Sequence, residues 1–104
     1  VKRYADDYTS MTVVAGSHKA GKNLHQLHRP TNLFVDNDCS VYVSDMLNHR
    51  VVCWMRGASE GIVVAGHDRR DANLEYLSAP RGLWIDRMGH TYVVDQLSHR
   101  VILW

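Results

Sequence analysis

A chain of 104 residues with 45% hydrophobic content, 22% charged residues and a net charge of +1 has an ordinary globular composition. That composition excludes intrinsic disorder and indiscriminate attraction to polyanions. No apolar run approaches the roughly 18 residues that cross a bilayer, and the first residues carry no signal-peptide pattern, so membrane insertion by this segment is not expected.

In chain order, the first β-rich stretch is Met11 to Ala15, closed by Gly16, and a long connection follows to Arg29. Strands are predicted near 31–36, 41–45, 50–55 and 61–65. The turn cluster Asp36-Asn37-Asp38 separates the first pair, a short link from Met46 to His49 the second, and Arg56-Gly57-Ala58-Ser59 the third. A second long connection, Gly66 to Ala79, leads to strands predicted near 81–86, 91–95 and 100–104. The apolar runs do not alternate cleanly with polar residues. Strands covered on both faces, as in a sheet stacked between two others, have that pattern.

The second half copies the first. Sliding residues 13–54 onto 63–104 needs no gap and matches 18 of 42 positions, including Val13-Val14-Ala15-Gly16 with Val63-Val64-Ala65-Gly66, Pro30 with Pro80, and His49-Arg50-Val51 with His99-Arg100-Val101. Val1 and Tyr4 stand where Val51 and Trp54 stand one unit later, so the segment is expected to enter inside one repeat and to come from a longer array. Cys39 and Cys53 fall where the other copy has Gly89 and Leu103, and their spacing is not that of a zinc site, which favours free thiols over a disulfide.

Four strands per unit, repeated, are the pattern of sheets arrayed as β-propeller blades. The run Leu77-x2-Pro80-x-Gly82-Leu83-x-Ile85-Asp86-x2-Gly89-x-Thr91-Tyr92-Val93-x-Asp95-x3-His99-Arg100-Val101-x2-Trp104 resembles the NHL repeat. The first copy departs from it at Asn32 and Cys39, where the pattern favours Gly. The resemblance implies an all-β fold, a partial β-propeller of about two four-stranded antiparallel blades in a family that commonly has six. Residues 1–16 would be the last two strands of a preceding blade, 17–66 a complete blade, and 67–104 a blade lacking its fourth strand.

Asp45 with Arg50, and Asp95 with Arg100, read as a structural clamp across the mouth of one hairpin, because an arginine fork can hold a carboxylate and the turn backbone together. Trp54, Trp104 and Tyr4, at matching strand positions, read as packing between sheets.

Binding residues are sought where the copies differ and loops gather. An up-and-down topology sends the two long connections and the 46–49 and 96–99 links to one end. His18, His25, His28, His49, His67 and His99 belong to that end, and His90 to the other. The candidate binding residues on or beside the loop face are His18, Lys19, Lys22, His25, His28, Arg29, Arg69, Arg70, Tyr76 and Arg81, with Asp68, Asp71 and Glu75 diluting the charge.

Three readings of the face compete. A protein or peptide recognition surface needs no special residue. RNA binding is implied by resemblance to the NHL propellers of tripartite-motif proteins, although Tyr76 alone offers a ring for base stacking. A zinc-dependent lyase-like propeller is implied by other similar propellers. His25-x2-His28 could share a metal, but the pair lacks a third ligand and the inner strands offer no histidine. Solvated loop histidines are the simpler account, so no metal or other cofactor is expected. No nucleophile turn, phosphate loop or complete calcium loop occurs, and catalysis is not expected. The expected partners are a protein or peptide, with RNA as the alternative, and the remaining blades of the parent chain.

Overall fold

The computed structural model describes residues 1–7, 9–66 and 76–104. Those residues form an all-β fold of three antiparallel sheets, and the helical structure among them is limited to two single-turn 3-10 segments. The first sheet pairs β1 (Lys2–Tyr4) with β2 (Met11–Val13). The second runs in sequence order through β3 (Pro30–Val35), β4 (Val41–Asp45), β5 (Arg50–Trp54) and β6 (Ile62–Ala65). The third contains β7 (Pro80–Ile85), β8 (Thr91–Asp95) and β9 (Arg100–Leu103).

The repeat is kept in the register. Asp45 pairs with Arg50 and Asp95 with Arg100, and Phe34 pairs with Tyr42 as Trp84 does with Tyr92. Each tip between the first two strands is closed by an aspartate. Asp36 Oδ1 accepts the amides of Asp38 and Ser40, and Asp86 Oδ1 those of Met88 and His90, which satisfies donors the turn would otherwise leave open. Gly89 adopts φ +86 in one turn, and Cys39, at φ +62, does the same work in the other at a steric cost.

Two apolar layers hold the sheets face to face. Ala15, Leu27, Val41, Val43, Val52 and Trp54 fill the layer between the first and second sheets. Val51, Ala65, Leu77, Leu83, Ile85 and Val93 fill the layer between the second and third. Alternation along β4 and β5 explains the division. Val43 and Val52 point one way, Ser44 and Val51 the other, and all four are buried. Tyr42 lies opposite Cys53 in the register. Burial, followed by the neighbouring Cys53 and Asp36, pushes the Tyr42 hydroxyl up to about 12, and burial likewise raises the Cys53 thiol. Cys39 and Cys53 are both free, the first exposed and the second buried.

Coverage on both faces holds for β4 and β5 but not for every strand expected to have it. Leu33 is 47% exposed whereas its copy Leu83 is 7% exposed, because β7 packs against β3 and β4 of the second sheet, and among the described residues β3 has no corresponding strand on its other side. Of the three aromatic residues read as packing, Trp54 is buried between sheets and Trp104 is partly buried against the second layer. Tyr4 is 57% exposed, a correction with the same cause, since no further sheet covers its side among the described residues.

Candidate recognition face

One end of the stack is built around two buried aspartates. β4 ends at Asp45, and the chain makes a 3-10 turn at Met46–Asn48 before His49 reverses it with φ +56. Its copy turns at Gln96–Ser98, and His99 has φ +52. Both histidines therefore act as left-handed caps of their hairpins, each donating its backbone amide back into the turn.

Asp45 is fully buried, and its carboxylate collects three donors. Oδ1 accepts the His28 amide at 2.7 Å; Oδ2 accepts Asn48 Nδ2 and Arg50 Nε, both at 2.8 Å. The rest of the Arg50 fork turns to the long connection, donating from Nη1 to the Lys22 carbonyl and from Nη2 to the carbonyls of Asn23 and Gln26. The clamp thus grips the backbone of the 17–29 loop in place of the hairpin turn expected for it. Asn48 adds a further tie, donating to the Gly21 carbonyl.

The second copy repeats the plan with different distances. Asp95 Oδ1 accepts the Ala79 amide at 2.8 Å and Oδ2 the Ser78 amide at 3.0 Å, while Arg100 Nε lies 3.9 Å from Oδ2. Burial raises the Asp95 carboxyl, but the Ser78 and Ala79 amides, the Ser98 hydroxyl and the Arg100 charge outweigh it and hold the group below its ordinary value. Arg100 Nη2 donates to the Tyr76 carbonyl.

The backbone joins both long connections to the hairpin links, as Leu47 donates to the His28 carbonyl and Gln96 to the Ala79 carbonyl. The first connection does not stay wholly at that end. Its middle reaches the entry of β6, where the Leu24 carbonyl accepts the Gly61 amide at 2.7 Å. His49 Nδ1 stands 2.8 Å from the Ser78 carbonyl and links the turn of one repeat to the entry of the next.

Against this frame, His18, Lys19, Lys22, His25, His28 and Arg29 are exposed residues of the first connection, while Tyr76 and Arg81 are exposed at the entry to β7. Arg69 and Arg70, with His67, Asp68, Asp71 and Glu75, lie outside the described residues. The geometry gathers backbone groups under the face and leaves the candidate side chains above it. Asn48 was not among the sequence candidates, though the recurrence Asp45-x2-Asn48 and Asp95-x2-Ser98 was there to be read. His49's reach to the next repeat left no such signal.

Among the described residues, no three His, Cys, Asp or Glu side chains are grouped to hold a metal ion, and no helix is long and apolar enough to cross a membrane. At the opposite end His90 Nδ1 lies 2.9 Å from Asp86 Oδ2, and the Tyr92 hydroxyl donates to the same oxygen. Comparison of the chain with protein-family models and with curated proteins gives no match.

Proposed function

We propose that the chain is a segment of an NHL-type β-propeller that serves, without chemistry of its own, as a scaffold for binding a protein or peptide through its loop face. The observation that carries this reading is the division of labour at Asp45 and Arg50. Atoms repeated in both copies hold the loop by its backbone carbonyls and amides, which leaves the side chains that differ between copies exposed for contact. A loop held in this way loses little further conformational freedom when a partner settles on it, and that lowers the cost of association.

RNA is the second reading. It is favoured by the exposed set His18, Lys19, Lys22, His25, His28 and Arg29 on a connection that contains no acidic residue between Gly16 and Pro30. A catalytic zinc needs three protein ligands, and His25 with His28 supplies two, so the lyase-like reading is not carried forward.

The test pairs two titrations on the parent propeller. A peptide selected from a display library is expected to bind with little salt dependence and to lose binding when Lys19, Lys22 and Arg29 are changed together to Ala. Single-stranded RNA is expected not to bind. Binding of RNA that falls steeply between two salt concentrations and disappears in the triple variant would replace the protein reading with the RNA one.

A further inference from the structure

At the end away from the loop face, a cavity of about 630 Å³ opens between the tips of the β3–β4 and β7–β8 hairpins. Phe34, Tyr42 and Trp84 form its aromatic wall, and Asp36, Asp38 and Asp86 stand round it against a single guanidinium, Arg87. The rings are already arranged edge to face. Phe34 and Trp84 have centroids 5.0 Å apart at 70°, and Phe34 and Tyr42 6.5 Å apart at 68°. Trp84 is nonetheless 62% exposed, which is unusual for the largest apolar side chain on an inner strand.

We infer that this cavity is a binding site for an organic cation carrying an N-methylated ammonium group. Two features select that chemistry. Aromatic faces attract a cation through the ring quadrupole, most strongly at tryptophan, and the surplus of carboxylates, three against one guanidinium, favours positive charge. The second feature is the state of the carboxylates. Asp86 Oδ1 already accepts two backbone amides, and its Oδ2 faces His90 Nδ1 and accepts the Tyr92 hydroxyl. Asp36 Oδ1 likewise accepts two amides.

Asp86 therefore supplies a fixed negative field with both oxygens already engaged, and the aromatic wall offers no strong acceptor to replace the water that a primary ammonium would give up against it. A methylated ammonium has few or no N–H groups to satisfy, and its methyls give the rings apolar surface to cover. The cavity lies at the other end of the sheets from the clamp that holds the 17–29 connection.

The experiment titrates the full chain with choline and with its uncharged isostere 3,3-dimethylbutan-1-ol, following the Trp84 indole resonance, with Trp54 and Trp104 as internal references. Choline is expected to shift Trp84 saturably and the isostere to bind at least several-fold more weakly. Trp84→Leu, which keeps apolar bulk but removes the ring, is expected to weaken choline binding roughly fivefold, read by calorimetry, while Trp84→Phe retains part of it. Asp38→Asn, at an exposed turn position, gives a second variant that leaves the core untouched and is expected to weaken choline but not the isostere. A peptide bearing trimethyllysine separates the sources of the head group: tighter binding than choline assigns it to a protein tail, equal binding to the free cation. Equal affinity for choline and the isostere, unchanged choline affinity in Trp84→Leu, or no binding of any of the cations overturns the inference.

Discussion

Arg50 shows how one side chain can hold an element it does not belong to. Its Nε meets a fully buried carboxylate, and its two terminal nitrogens take three carbonyls from the 17–29 connection, so four of the guanidinium's five N–H groups are engaged. Removing it strands the Asp45 charge and three carbonyls together. Arg50→Ala is therefore expected to destabilise the fold by about 3 kcal/mol in urea unfolding, and Arg50→Lys, which keeps the charge but not the fork, by about 2 kcal/mol. Asp95 carries a pH signature. Its carboxyl is held below the ordinary value, so the folded state binds that proton less readily than the unfolded chain. The resulting stability is complete above the ordinary carboxylate range of about pH 4 and is lost as pH falls through Asp95's lowered value. Melting temperatures measured across that acid window should fall less steeply in Asp95→Asn than in the wild type.

At the scale of elements, strand positions were legible because β-rich runs and turn clusters alternate and the alternation is printed twice. The observed strands, from Pro30–Val35 to Arg100–Leu103, lie within one or two residues of those expected, as they do for β2, Met11–Val13. The departures sit at turns. Cys39 occupies a left-handed position that Gly89 fills in the other copy, and a non-glycine residue there pays about 1–2 kcal/mol in steric strain. Glycine gives back part of that in unfolded-chain entropy. Cys39→Gly is therefore expected to stabilise the protein by roughly 0.5–1 kcal/mol, measured by chemical denaturation. That Cys39 stands where the other copy has Gly89 was visible in the sequence, whereas the sign of the effect follows from the positive φ. The path of the first long connection was not legible. Nothing in its residues announces that Leu24 meets Gly61, because that contact depends on where β6 lies in space.

For the whole molecule, position in the stack decides what a residue does. Val51 is fully buried between the second and third sheets, while its copy Val101 is 65% exposed on the open face of the third, beside Val94 and Leu103. The same chemistry is core in one copy and surface in the other. An apolar face and an edge strand of this kind favour head-to-tail association, since the partner surfaces differ and need not close on themselves. Sedimentation of the isolated chain should show mass rising above 11.9 kDa with concentration, and Val101→Glu with Leu103→Glu should suppress it. A wild-type chain that stays at that mass at all concentrations would contradict this expectation. The sequence by itself determined the all-β class, the period, the strands and the Asp–Arg pairs, because these depend on local propensity and on a pattern written twice. Tertiary structure alone decided which apolar faces are covered, that the clamp grips a distant loop, and that Phe34, Tyr42 and Trp84 converge on one cavity, because each joins residues from elements whose separation along the chain says nothing about their distance in space.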